Sequence, residues 1–290
     1  MAEGASYDAL LRDTAVALTA AGIDNVRFEA RLLLSHATGL TIEQLISRGP
    51  DAAPAAAAAA TLRELTARRV RREPMAYILG EREFWGLPFK VSPAVLIPRP
   101  DSETVIETVI DLLPDRSRKL RILDLGLGSG CLLLTLLREY PQATGVGIDA
   151  SEAALAIARA NAAALGVAPR ARLSMGDWRQ AGWTEQLEGP FDLLVSNPPY
   201  IESAAVEGLM PEVAAHEPRL ALDGGADGLA AYRIIASEAP RLVVPGGWAV
   251  VEAGEGQAPD IAALFGAAGL TPKPPRQDLG GIARVVPAQQ

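Results

Sequence analysis

The chain has 290 residues, 49% of them hydrophobic, a formal net charge of −8 and a single cysteine, Cys131. That apolar content suffices for one large or two modest cores, since domains commonly run about 100–150 residues. No membrane-spanning helix is expected, because no run reaches the roughly 18 apolar residues of a span, and the Ala55–Ala60 run is too short and too weakly apolar.

The N-terminus MAEGASYDAL lacks the basic start and apolar run of a secretory signal. One cysteine builds no internal disulfide framework and fits a reducing compartment, so the expected location is cytoplasmic. Charge is unevenly placed. Residues 1–75 hold nine acidic and nine basic residues, which leaves 26 acidic and 18 basic in residues 76–290. A broadly basic surface for extended nucleic acid is therefore not expected.

The first 75 residues read as helices. Apolar positions recur at helical spacing in YDALLRDTAVALTAAG and FEARLLLSHATG, with Gly22 and Gly39 as stop signals. Thr41 is placed to cap TIEQLISRG, and AAAAAATLRELTARRVRRE stops before Pro74. The run RRVRRE, Arg68 to Glu73, reads as a solvated helix face, with a local contact as the alternative. His36 is expected to be a partly buried packing residue. Nothing in this helical domain, residues 1–75, looks catalytic.

The period then changes. YILGEREFWGLPFKVS reads as strand, turn and strand, with Gly86-Leu87-Pro88 at the turn, so residues 76–98 form a β-hairpin linker. Beyond LIPRP, Asp101 or Ser102 is placed to cap a helix over ETVIETVIDLL, which stops at Pro114. In residues 99–290 strands at LRILDL, TGVGID, ARLSM, FDLLVS and GWAVVEA alternate with helices at GCLLLTLLREY, SEAALAIARANAAALG, GLAAYRIIASEAPRL and APDIAALFGAAG. Such alternation predicts a parallel sheet covered on both faces. The closing TPKPPRQDLGGIARVVP predicts two antiparallel strands about Gly280-Gly281.

LDLGLGSG, Leu123 to Gly130, lies between the first strand and first helix of that sheet. Glycines at 126, 128 and 130 let the backbone turn tightly and approach a ligand closely. A nucleotide-binding dehydrogenase also has a Gly-rich loop, but its fingerprint is G-x-G-x-x-G, whereas Gly130 follows only two residues after Gly128. Asp149, ending the second strand, can accept two ribose hydroxyls, a feature shared by NAD and S-adenosylmethionine sites. The spacing D-x-G-x-G-x-G resembles class I S-adenosylmethionine-dependent methyltransferases, with the carboxypropyl end of the cofactor against Gly126, Leu127, Gly128, Ser129 and Gly130. GDW, Gly176 to Trp178, follows the third strand. By that resemblance Asp177 faces adenine and Trp178 packs on the ring; the alternative is that Trp178 caps the core. Cys131 reads as a small packing residue, and no metal-ligand set is evident.

VSNPPY, Val195 to Tyr200, ends the fourth strand on the same edge. An amide or exocyclic amine is a poor nucleophile because its lone pair is delocalised, and it cannot be deprotonated near neutral pH. An enzyme can orient it instead. The Asn197 side-chain oxygen and the Pro198 carbonyl can each accept one N–H of a substrate –NH2, aiming the nitrogen lone pair at a sulfonium methyl. The prolines stiffen the acceptors and Tyr200 offers a flat wall. Positioning and exclusion of water supply the rate.

N-P-P-Y is shared by enzymes that methylate glutamine amides and by several that methylate base amino groups. YILGEREFWGLPFKVSPAVLIPRPDSETVIE, ILDLGLGSG, VSNPPYI, EPRLALDGGADGL and the helical leader together resemble the HemK/PrmC family, the peptide chain release factor N5-glutamine methyltransferases. The match runs over essentially the whole chain. It implies an α/β, Rossmann-like fold with a mostly parallel seven-stranded sheet, and a small N-terminal helical domain joined by a hairpin and used to recognise substrate. It also implies S-adenosyl-L-methionine as cofactor and the glutamine of the Gly-Gly-Gln loop in release factors 1 and 2 as target. Cofactor contact then falls on Gly126, Gly128, Gly130, Asp149, Trp178 and Asn197, and substrate contact on Asn197, Pro198, Pro199 and Tyr200. Leu127 stands where the family usually has Thr, which removes a hydroxyl contact but leaves the backbone amide. His216 replaces a usual aromatic and is expected to be structural. Three rival readings are a ribosomal-protein glutamine methyltransferase, a base-amino methyltransferase, which the net negative catalytic part opposes, and a non-enzymatic adaptor, which leaves Asn197 unexplained.

Overall fold

The computed structural model describes residues 4–48, 52–185 and 187–290. Met1–Glu3 and Gly49, which fall in two of the segments read above, lie outside these. Backbone contacts divide the chain into two compact units, Met1–Gly80 with Met210–His216, and Glu81–Leu209 with Glu217–Gln290.

The helical unit is built from α1 (Tyr7–Ala20), α2 (Val26–Thr38), α3 (Ile42–Ile46), α4 (Ala56–Val70) and α5 (Met75–Leu79). Its boundaries follow local chemistry. Ser6 Oγ accepts the Ala9 N–H at the start of α1, and Thr41 with Gln44 forms a capping box on α3. Gly39 ends α2 in the left-handed region. Leu10, Leu18, Leu33, Leu34 and Leu62 are completely buried in a shared core, each contributing about 1.5–3 kcal/mol relative to exposure. His36 lies on an exposed face of α2 rather than a buried one.

Two expectations for this region are corrected. The segment Tyr77–Leu79, read as strand, is the end of α5. Pro74 precedes its first turn and Gly80 closes it in the left-handed region, while Ile78 is buried in the helical core. The basic run is not a solvated face either. Arg69 is 7% exposed and meets Glu29 at 2.8 Å and Glu212 at 3.1 Å. Arg72 meets Glu212 at 2.9 Å and Arg68 meets Glu73 at 2.5 Å. Glu73 belongs to the run itself, whereas Glu29 and Glu212 lie at remote sequence positions, which a local charge count cannot see.

The second unit opens with a hairpin, β1 (Glu81–Phe84) and β2 (Leu87–Lys90). Its two-residue turn is Trp85-Gly86, both at positive φ, 55° and 69°, as a type I′ turn requires. Leu87 and Pro88 therefore belong to the strand, one step beyond the turn read from sequence. Phe84 and Phe89 pack edge-on, 6.1 Å apart. After α6 (Glu103–Leu112) the chain alternates through β3 (Arg121–Leu125), α7 (Cys131–Glu139), β4 (Thr144–Asp149), α8 (Glu152–Ala164), β5 (Ala171–Met175) and β6 (Phe191–Ser196). The short helix α9 (Pro211–His216) lies in the segment that clusters with the helical unit; there His216 Nε2 lies 3.3 Å from Arg71 O. Then follow α10 (Ala230–Leu242), β7 (Val243–Glu252), α11 (Ala258–Ala267), β8 (Thr271–Pro272), β9 (Arg276–Gln277) and β10 (Ala283–Gln289).

The sheet runs β5-β4-β3-β6-β7-β10, with β8 and β9 as two short pieces pairing the far side of β10. The first five strands are parallel and β10 is antiparallel. Alternate residues face opposite helix layers. Leu193 and Val195 join α6, α7 and α8 in one core, and Leu194 joins α10 and α11 in the other.

Candidate active site

From β3 the chain winds outward to β4 and β5, then returns to place β6 on the other side of β3. The carboxyl ends of β3 and β6 thus flank the reversal of strand order, where open α/β sheets bind ligands. The register Leu125↔Ser196 sets Gly126 beside Asn197 at that edge, and Ser196 Oγ donates to Leu125 O at 2.6 Å. A cleft of about 250 Å³ opens there.

One wall is the loop after β3. Gly126, Gly128 and Gly130 have φ of +76°, +54° and +82°, values that favour glycine. At Gly126 a Cβ would also stand 2.9 Å from the Trp178 ring, so the indole's seat needs glycine for space as well. Asp149 braces the loop. Its Oδ2 accepts the Gly128 N–H at 2.8 Å and its Oδ1 the Ser151 N–H at 2.9 Å. Burial raises the Asp149 pKa against those two hydrogen bonds, and each oxygen keeps a further lone pair.

Leu127 borders the cleft, yet its side chain is 4% exposed and belongs to the core. It fills the space over Gly147, where a Cβ would meet it at 2.7 Å. Its N–H donates to Ile148 O at 3.0 Å. The Leu127 amide is thus engaged by the backbone of β4. Ser129 lines the cleft and Gly130 sits at the N-cap of α7. Asn161 ties the loop to the hairpin, donating to Ser129 O and Lys90 O and accepting the Lys90 N–H. Trp178 lines the cleft and also packs on the α10–α11 core. Asp177 also lines the cleft, but its carboxylate is held by Arg179 at 2.7 Å, which keeps its pKa low. Burial pushes the Cys131 thiol up to about 12, as befits a packing residue.

Asp124, quoted within the loop motif but given no role of its own, is the acidic residue that sequence reasoning missed. It lines the cleft at 2% exposure. Oδ2 accepts the Leu133 N–H at 3.2 Å, while Oδ1 has no hydrogen-bond partner. Burial, with the Asp149 charge adding to it, lifts its pKa to about 8. Its position as the first residue of D-x-G-x-G-x-G was the signal available.

The opposite wall is the end of β6. Asn197 lines the cleft and its Nδ2 donates to Ser102 Oγ at 3.2 Å. Pro199 lines it too; Pro198 is buried, and the Tyr200 ring is half-buried against the α10–α11 core. The DGGADG segment, quoted from sequence without a mechanism, clamps these residues. Ile201 N–H donates to Leu222 O at 3.0 Å and Gly224 N–H to Ile201 O at 2.8 Å. A Cβ on Gly224 would stand 2.8 Å from Pro199 O and from the Tyr200 Cα. Gln257 Nε2 donates to Tyr200 O at 3.0 Å. Arg99, also on the cleft, pairs with buried Glu217 at 2.5 Å. No histidine or lysine lines the cleft among the described residues.

A Gly loop braced by an acidic strand end, facing Asn-Pro-Pro-Tyr across the switch point of a mostly parallel sheet, defines a class I S-adenosylmethionine-dependent methyltransferase fold. A solved methyltransferase from Pyrococcus furiosus shares that fold: it is 18% identical, with TM-score 0.51, over 71% of this chain and 90% of its own. Residues 9–80 match the PrmC N-terminal domain and residues 102–226 the Methyltransferase small domain. The release factor glutamine methyltransferase of Bradyrhizobium diazoefficiens is 45% identical over 99% of this chain and 96% of its own. That of Caulobacter vibrioides is 46% identical over 92% and 90%. The chain belongs to the release factor glutamine methyltransferase family.

Proposed function

We propose that this chain methylates the side-chain amide nitrogen, N5, of the glutamine in the Gly-Gly-Gln loop of bacterial peptide chain release factors 1 and 2, with S-adenosyl-L-methionine as donor. The observation that carries the reading is Asn197, set on the cleft beside the Asp149-braced loop with its amide nitrogen already engaged by Ser102. The cleft fits such a donor. Asp124 offers an unpartnered buried oxygen to a cationic amino group, Asp149 offers acceptors to a ribose, and Trp178 offers a ring to a base. When bound, the cofactor supplies an electrophilic sulfonium methyl. The family resemblance assigns Gly126, Leu127, Gly128, Ser129, Gly130 and Asp177 to the same end, with Leu127 contributing shape from within the core.

The chain's own residues do the rest. Asn197 Oδ1 and the Pro198 carbonyl accept the two N–H bonds of the glutamine amide, fixing the plane of a nitrogen that cannot be made nucleophilic by deprotonation. Held in that plane by Asn197 and Pro198, the amide nitrogen would receive the methyl group that the bound cofactor supplies, and its surplus N–H proton would pass to solvent. No base is required, because the methylated amide loses that proton readily. Pro198, Pro199 and Tyr200 hold the acceptors still, and positioning of this kind contributes about 7–11 kcal/mol at its best. The helical unit is assigned to gripping the protein around the glutamine, since the cleft holds only the amide. Incubation with methyl-labelled cofactor and release factor, ribosomal proteins or RNA tests the proposal. Label is expected in release factor; label only in ribosomal protein or RNA would refute it.

A further inference from the structure

Gln257 occupies the N-cap position of α11, yet its side chain makes no capping hydrogen bond. Its amide is spent on three loops at the carboxyl edge of the sheet instead. Oε1 accepts the Gly254 N–H at 3.0 Å. Nε2 donates to Tyr200 O at 3.0 Å and, more weakly, to Gly228 O at 3.5 Å. A backbone N–H on one side and two carbonyls on the other allow the amide one orientation. The corner between β7 and α11 is fitted closely to this arrangement: a Cβ on Gly254 would stand 2.7 Å from Gln257 Oε1 and 3.0 Å from Tyr200 Cδ2. The Tyr200 hydroxyl reaches Glu252 Oε1 at 3.4 Å. Residues 252–257 thus meet the ring, the hydroxyl and the carbonyl of Tyr200.

Two prolines do not by themselves aim the acceptors of Asn-Pro-Pro-Tyr. Each ring fixes its own φ, and each confines ψ of the residue before it to a window of about 40°. A swing across that window moves a carbonyl oxygen by roughly 0.7 Å. Misplacement by about 1 Å is enough to cost about 10²-fold in rate. The window for Pro198 closes only where the chain beyond it is tied down, and Tyr200 is the first residue after the prolines. Its carbonyl is tied by Gln257, and the next residue, Ile201, by Leu222 and Gly224.

We infer that Gln257 is a positioning residue for methyl transfer: by tying the Tyr200 carbonyl to the β7–α11 corner it fixes the Pro198 carbonyl and the Tyr200 ring against the glutamine amide. The inference rests on the amide-methylation reading above. Gln257 is not among the residues lining the cleft, so it acts through Tyr200 and touches neither ligand. A loosened Pro198 carbonyl still accepts an N–H, but it holds the amide plane less often at the angle that aims the nitrogen lone pair. The loss therefore falls on the rate of transfer and not on the binding of cofactor or release factor.

Two variants separate hydrogen bonding from bulk. Gln257→Met keeps the length of the side chain and loses its hydrogen bonds. Gln257→Glu keeps the acceptor for Gly254 but sets a carboxylate against the Tyr200 carbonyl. Single-turnover methylation of release factor at saturating cofactor should slow about tenfold in each, the worth of one oriented hydrogen bond. Cofactor Kd and the half-saturating concentration of release factor should stay within about twofold of wild type. The NMR resonance of a 13C-labelled Tyr200 carbonyl should move in both variants as its donor is lost. Wild-type transfer by folded Gln257→Met, a loss of cofactor affinity as large as the loss of rate, or an unmoved Tyr200 resonance would each overturn the inference. The carbonyl measurement needs no methyl acceptor. If wild-type protein left release factor unmodified, the substrate reading would fail, while the resonance would still decide whether Gln257 holds Tyr200.

Discussion

Replacing Asp149 by alanine removes four potential interactions at one stroke. Two are visible: the Gly128 and Ser151 N–H groups would lose their acceptors at 2.8 and 2.9 Å. An unpaired donor costs about 1–3 kcal/mol where water cannot reach it. Against this, the mutation deletes a carboxylate that burial already disfavours in its ionised form, so the net loss of fold stability should be about 1–2 kcal/mol. The other two interactions exist only with ligand. Hydrogen bonds to a charged acceptor are worth about 1.5–3 kcal/mol each, so losing a pair of ribose hydroxyl contacts should cost at least about 3 kcal/mol, or roughly 10²-fold in Kd. Calorimetric titration with S-adenosylmethionine, after circular dichroism has established folding, reads this directly. Asp149→Asn separates charge from shape: it keeps one acceptor, and should lose less affinity than Asp149→Ala. A folded Asp149→Ala protein with wild-type Kd would remove Asp149 from the cofactor site and refute the reasoning.

Three further outcomes follow from the geometry. Gly224→Ala should cut methyl transfer about tenfold or more, because its Cβ has no room beside Pro199 O and the Tyr200 Cα; cofactor affinity should change little, and an unaffected turnover rate would contradict the clamp. Arg69→Ala should destabilise the protein by about 3–5 kcal/mol, since Glu29 and Glu212 would lose their shared buried partner, and a thermal melt within about 1 °C of wild type would contradict it. The folded ligand-free protein retains protons on Asp124 up to about pH 8 and on Glu252 up to about pH 7, which the unfolded chain releases near 3.8 and 4.5. Their contribution therefore favours folding at acid pH and is lost as pH rises through these values. The urea midpoint should fall between about pH 5.5 and 8.5, and less steeply in Asp124→Asn; equal slopes would refute the assignment of that proton.

Much of the catalytic unit was legible because its signals are local. Alternating strands and helices, glycines at 126, 128 and 130, and an acid at the end of β4 are each written within a few residues, and the parallel sheet brings them to one edge. The hairpin was legible too, but its turn lay one residue earlier than the Gly-Leu-Pro run suggested, since Trp85 itself adopts positive φ. What sequence could not supply depends on distant pairing. Ser102 reads as a helix cap until Asn197, 95 residues away, claims its hydroxyl. Arg69 of α4 and Arg72 just beyond it read as solvent-facing until Glu29 and Glu212 arrive from elsewhere. Leu127 reads as a weakened ligand contact until Gly147 is seen to make room for it in the core. The glycines of DGGADG carried a family signal without a mechanism, which the backbone of Pro199 and Tyr200 provides.

The central claim is that Asn197 orients a glutamine amide for methylation. The most direct measurement is single-turnover methylation of intact release factor by wild-type protein and by Asn197→Ala, with the product mapped by fragment mass spectrometry. Wild-type protein should add one methyl group to the Gly-Gly-Gln glutamine. Folded Asn197→Ala, with cofactor bound, should do so roughly 10²-fold more slowly, corresponding to about 3 kcal/mol of lost positioning. Methylation at the wild-type rate by folded Asn197→Ala, or a methyl group mapped to another residue, would contradict the account.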